Sequence, residues 1–143
     1  MNRDDIAILK SVQKNAQMAM KAISVLEPKV QDENMVLLMA KKNQKYMELH
    51  QKAMNSLVEE RIRPYQSSVM ENILLNSEIS ANTLLNTSTS HIAEVLIKES
   101  NMGITNMTKI LNHHKGGEKT TVDMANEMLD MEKENVAEYM KYL

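Results

Sequence analysis

Three charged residues, Lys42, Glu99 and Glu132, fall in the middle of helical stripes that are otherwise apolar. Carboxylates at such inward, mid-helix positions are the groups with which helical bundles bind pairs of metal ions. That chemistry takes a Glu from each of two helices and a Glu-x-x-His from each of the other two, because four carboxylates and two imidazoles balance and coordinate two cations. No Glu-x-x-His occurs anywhere in the 143 residues. The matching positions read Asn15, Glu99, Lys42 with Lys45, and Glu132 with Asn135. Lysines beside two carboxylates repel a metal pair. The residue types instead predict a neutralised core cluster, in which the Lys42 ammonium bridges Glu99 and Glu132. Removing one member of a buried ionic set costs roughly 3–5 kcal/mol, whereas replacing the whole set by apolar groups is often neutral. Lys42→Met alone is therefore expected to destabilise, and Lys42→Met with Glu99→Leu and Glu132→Leu to recover.

Other groups have weaker claims. Thioethers suit Cu(I), and Met124, Met128 and Met131 lie close on one helix, as do Met35 and Met39. Phe and Trp are absent, however, and 14 Met residues must help fill the core. His113 and His114 fall in a last helical turn, where a cation meets free carbonyls and the helix dipole. His50 and Glu48 are two residues apart and share no helix face, and His91 reads as a surface residue. There is no Cys, so no disulfide, thiolate site or cysteine nucleophile. No phosphate-binding glycine loop, Ser/His/Asp arrangement or zinc spacing is present. These absences predict a non-catalytic protein with no cofactor. The formal charge of −2 offers no basic footprint for nucleic acid. Nothing approaches 18 consecutive apolar residues, and the start of the chain lacks the basic-then-apolar pattern of a signal peptide, so a cytoplasmic location without a membrane span is expected.

The elements follow from periodicity. With only 3 Gly and 2 Pro, long helices are favoured and residues 1–143 read as one domain. A first helix over about residues 4–26 carries Leu9, Val12, Ala16, Ala19, Ile23 and Leu26 at alternating spacings of three and four. A second runs from an N-cap at Asp32 to about Glu60, with Met35, Leu38, Lys42, Tyr46, Leu49, Ala53 and Leu57 inward. A third covers about residues 67–86. A fourth, about residues 89–114, carries Ile92, Leu96, Glu99, Gly103, Met107 and Ile110, and Gly116-Gly117 is expected to end it in the left-handed conformation. A fifth begins at Thr120 or Thr121 and reaches Leu143, with Ala125, Met128, Glu132, Val136, Tyr139 and Leu143 inward. Helices one and two align with four and five at offsets of 84 and 90, which superposes Asn15 on Glu99 and Lys42 on Glu132 and raises an internal duplication as a hypothesis. Basic residues gather on and just after the second helix (Lys41, Lys42, Lys45, Lys52, Arg61, Arg63) and acidic ones on the fifth (Glu127, Asp130, Glu132, Glu134, Glu138), read by default as solvated faces.

Two hairpins joined by a long helical crossover make an all-α, up-down four-helix bundle of ferritin-like topology. In Met18-Ala19-Met20 through Leu26, Ser90-His91-Ile92-Ala93-Glu94 and Glu99-Ser100-Asn101-Met102-Gly103-Ile104, the chain resembles the ferritin-like superfamily. It is most similar there to small bacterial ferritin-like proteins of unassigned function, some of them compared with spore-coat proteins. Iron chemistry belongs to the metal-binding branches and does not come with the fold. The expected function is a structural or interaction protein that self-associates as a homo-oligomer or binds another protein. Apolar residues off the core stripes, such as Met20, Val25, Leu37 and Met47, support it. The alternative is a metal-binding protein, with a degenerate iron or manganese site at Glu99 and Glu132 or a Met-based copper site.

Overall fold

The computed structural model describes residues 1–68, 71, 79 and 86–143. Among these, the regular structure is all helical. It comprises α1 (Arg3–Leu26), α2 (Glu33–Glu59), α3 (Thr89–His113) and α4 (Lys119–Tyr139), with 3-10 turns at Glu27–Lys29 and Met140–Tyr142. The helical crossover expected over residues 67–86 lies, apart from residues 67, 68, 71, 79 and 86, outside the described residues.

Three of the four described helices start on a side-chain cap, and α4 does not. The Asn2 side chain accepts from the Asp5 N–H at 2.9 Å and the Asp5 carboxylate accepts from the Asn2 N–H at 3.0 Å, a reciprocal capping box. Asp32 accepts from Met35 N–H at 3.1 Å, and Ser88 from His91 N–H at 3.2 Å. α2 ends where Arg61 turns left-handed (φ 59) and the Ile62 N–H returns to the Leu57 carbonyl at 2.9 Å.

The hairpins α1–α2 and α3–α4 pack along their lengths, and α1 also lies against α3 and α4. Among the described residues α2 is the peripheral helix. It leans on α1 and meets α4 only thinly, leaving an open groove of about 460 Å³ lined by Lys45, Glu48 and Leu49 on one side and Glu127, Asp130 and Glu134 on the other. The core is aliphatic and thioether: Ile8, Leu9, Val12, Leu26, Met35, Met39, Leu57, Ile92, Met107 and Met128 are fully enclosed, with Met filling the space that aromatic rings would take.

Several expectations shift: Ala19, Ile110 and Val136, expected inward, are only half-buried. Gly116 and Gly117 are not left-handed, since no described glycine has a positive φ. Their smallness serves close approach instead: a Cβ on Gly116 would stand 2.6 Å from Asp4 Oδ2, and one on Gly117 2.8 Å from Ile8 Cδ1. α4 starts at Lys119 and stops at Tyr139, where the chain tightens to a 3-10 turn, so Leu143 ends exposed rather than inward. On α2 the stripe passes through Met39, and Leu38 is only half-buried.

The end of the bundle where α1 begins is tied by charge-assisted bonds. Asp4 Oδ2 accepts from Gly116 N–H at 2.7 Å, and Asp4 Oδ1 lies 2.9 Å from His114 Nδ1. Asp5 Oδ1 accepts from Glu118 N–H at 2.7 Å, and Asn2 Nδ2 donates to the Gly116 carbonyl at 2.7 Å. His114 thus has a structural partner in an acidic first turn.

Candidate functional site

A small cavity that opens past Met102 and Asn106 is lined within the bundle by Asn15 and Ala19 from α1, Tyr46 from α2, Glu99 and Gly103 from α3, and Glu132 and Tyr139 from α4. Four helices converge there because their stripes carry polar tips at one level. The room is about 20 Å³ for the centre of a water-sized sphere, which suits a single water.

Glu132 dominates the site. It is 2% exposed. Its Oε1 accepts from the Tyr46 hydroxyl at 2.7 Å, and that oxygen in turn accepts from Asn135 Nδ2 at 2.8 Å. Glu132 Oε2 and Asn135 Oδ1 are buried with no hydrogen-bond partner. Burial pushes the Glu132 carboxyl up to about 7; the Tyr46 and Ser100 hydroxyls oppose that rise and the Glu99 charge adds to it. Burial, then the Glu132 charge, also push Tyr46 and Tyr139 above the usual phenol range. The arrangement is a carboxyl that exchanges its proton near neutrality, with one oxygen fixed by a phenol and the other unpaired.

Gly103 makes this possible. A Cβ there would lie 3.0 Å from Glu132 Cδ and 3.1 Å from its Oε1. Glycine inside a helix costs about 1 kcal/mol relative to alanine, and here it gives the carboxyl its berth.

Asn15, Glu99 and Glu132, expected at equivalent levels, do come to one cavity. Lys42 does not bridge Glu99 and Glu132. Its ammonium lies 2.7 Å from Glu138 Oε1. The reason is Tyr46, one turn further along α2, whose hydroxyl takes the place beside Glu132. The Lys42 side chain is buried as far as its ammonium, which pairs with Glu138, whose own side chain is part exposed. This bond holds the Glu138 carboxyl below the usual range, against its own partial burial.

Periodicity placed Tyr46 inward and Asn135 one turn from Glu132 without giving either a bond in the site, and it did not single out Ser100. Two signals pointed there: a glycine inside a stripe facing Glu132, and Glu132-x-x-Asn135 in the place of Glu-x-x-His. Asn15 donates to Met107 Sδ at 2.9 Å and to the Ser11 carbonyl at 3.0 Å, so it is a bonded core amide. His50 is half-buried, with its Nδ1 unpaired and its imidazole pushed down by burial.

The donor set does not fit a di-metal pair. Asn15, Lys42, Lys45 and Asn135 occupy positions that would need carboxylates or imidazoles, and no group of three or more His, Cys, Asp or Glu gathers among the described residues. No described helix is long and apolar enough to cross a membrane. Comparison with family models, curated proteins and solved structures gives no match to this chain.

Proposed function

We propose that this chain is a non-catalytic helical-bundle protein that works by self-association, through the outer face of α2. One observation carries the reading. The inward stripe of α2 uses Met35, Met39, Lys42, Tyr46, Leu49, Ala53 and Leu57. On the opposite side Leu37, Ala40, Gln44, Met47, Gln51, Met54 and Val58 follow one another at spacings of three and four, and none is charged. Leu37, Met47 and Val58 are 61%, 48% and 55% exposed. Scattered exposed apolar residues are ordinary, but a second seam at a mean spacing of 3.5 residues is the pattern of a helix with another helix to meet. The outer face of α4 makes the contrast, because Glu127, Asp130, Lys133 and Glu134 are exposed there. Sedimentation equilibrium over a wide concentration range tests the reading. The expected result is a reversible oligomer that Met47→Lys weakens. A strict monomer at millimolar concentration overturns it.

A second reading, a single cation held by Glu132 with Glu99, is favoured by the buried, unpaired Glu132 Oε2 on a cavity that Glu99 also lines. Thermal melts with anaerobic Fe(II), Mn(II) or Cu(I) test it. A rise of the size mass action requires, lost in Glu132→Gln, supports a bound ion, and no rise with any of the three removes it.

A further inference from the structure

We infer that the partner on this seam is a second copy of the chain, with its α2 antiparallel in one particular register. The inference rests on the self-association reading and adds geometry to it. With Leu37, Gln44, Gln51 and Val58 as a positions and Ala40, Met47 and Met54 as d positions, the residues flanking the seam on its α4 side include Lys41 and Glu48, both exposed. On the other side stand Val36, Asn43 and His50, which carry no fixed charge. The seam therefore has one charged edge, with a cation and an anion seven residues apart.

That edge selects among arrangements. In an antiparallel pair an a residue packs against a d residue of the partner, and like-lettered flanking positions meet across the seam. A two-fold axis passing between Lys45 and Tyr46 stacks Leu37 on Met54, Ala40 on Gln51 and Gln44 on Met47, each twice. In this register Lys41 of each copy stands beside Glu48 of the other. Sliding by a heptad one way puts Glu48 beside Glu48, and the other way puts Lys41 beside Lys41. A parallel pair sets Lys41 against Val36 and Glu48 against Asn43, with no opposite charges joined. Only the first arrangement satisfies both charges. Glutamines at two a positions, each set against an apolar d residue, weaken the pairing.

The strip from residue 37 to 58 is about 33 Å long and roughly 10 Å wide, on the order of 350 Å² per partner. A standard interface buries about 800 Å² per partner. The dimer is thus a weak, concentration-dependent one.

The test uses the full chain. Lys41→Glu and Glu48→Lys each create two like-charge contacts, so each should weaken self-association roughly tenfold. The double variant should restore it, and the two single variants mixed together should pair in preference to pairing with themselves. Because the chain has no cysteine, Leu37→Cys mixed with Met54→Cys should form an intermolecular disulfide that Leu37→Cys alone does not. Far-ultraviolet circular dichroism verifies that each variant keeps its helices. Self-association that ignores the charge exchanges, or a disulfide formed by Leu37→Cys alone, overturns the antiparallel register and leaves the self-association reading standing. A wild-type chain that never self-associates removes both.

Discussion

The Tyr46 hydroxyl and Glu132 Oε1, 86 residues apart in the chain, meet at 2.7 Å in the centre of the bundle. This contact sets the surroundings of Glu132. It gives one carboxylate oxygen a neutral donor, leaves the other unpaired, and displaces Lys42 toward Glu138.

Stability should carry the signature of Glu132. An unfolded glutamate titrates at 4.5 and the folded one at about 7. Between those values the folded chain holds more protons, so this group's contribution falls as pH rises through the window and is constant above it. Glu132→Gln should melt close to wild type at pH 4.5. At pH 7.5 it should gain about 1–3 kcal/mol. His50 tilts both proteins alike, its depressed titration favouring folding as pH rises toward 6.5. The difference between the two melting curves therefore isolates Glu132, and a difference that does not change with pH would contradict the assignment.

Gly103 and Glu132 should be coupled. In wild type, Gly103→Ala forces the Glu132 side chain aside, an overpacking cost of roughly 1–3 kcal/mol that exceeds the gain of about 1 kcal/mol in helix propensity. In a Glu132→Ala background only the gain remains, so the substitution should change sign. A double-mutant cycle from urea unfolding measures the coupling, and additivity would show that the two positions do not touch.

Lys42 and Glu138 should respond unequally. Lys42 is 2% exposed, whereas the Glu138 side chain reaches solvent. Glu138→Ala strands a buried ammonium and should cost about 1–3 kcal/mol. Lys42→Met leaves a carboxylate that water can serve, so the destabilisation expected of a Lys42–Glu99–Glu132 cluster gives way to an effect within about 1 kcal/mol of neutral. Equal losses in chemical denaturation would mean that the ammonium is not enclosed.

Asp5 should be a source of acid sensitivity. It is fully buried, and burial pushes its carboxyl up. The Asn2 and Glu118 N–H groups and the Thr121 hydroxyl outweigh that and hold it below the usual 3.8. Its contribution is complete above 3.8 and is lost as pH falls through the folded value. Asp5→Asn should lower stability by about 1–3 kcal/mol at pH 7, with the gap narrowing as pH falls below 3.8. Melting temperatures of the two proteins across that range read the effect.

Much of this fold can be read from spacing. The caps at Asp32 and Ser88 and the stripes of α1 and α3 follow from local rules, which act over one or two turns. The level shared by Asn15, Glu99 and Glu132 is legible for the same reason. What spacing does not carry is competition between side chains on different helices. Lys42 and Tyr46 lie on one stripe, and only the packed bundle decides which of them reaches Glu132. The Gly116-Gly117 turn misleads because glycine serves two ends, a left-handed backbone or the absence of a Cβ, and a single sequence does not distinguish them. The outer seam of α2 was half visible in Leu37 and Met47. Ala40, Gln44 and Gln51 read as ordinary surface until they are set beside the exposed Leu37, Met47 and Val58.

The bonds at Asn2, Asp4 and Asp5 join the first turn of the chain to groups 110 to 114 residues later. During synthesis the α1–α2 hairpin leaves the ribosome long before those partners exist. Until Gly116 and Glu118 emerge, Asp5 has no partner in the α3–α4 turn, and that end of the bundle stays open to water. The first turn of α1 is thus among the last parts of the bundle to be locked.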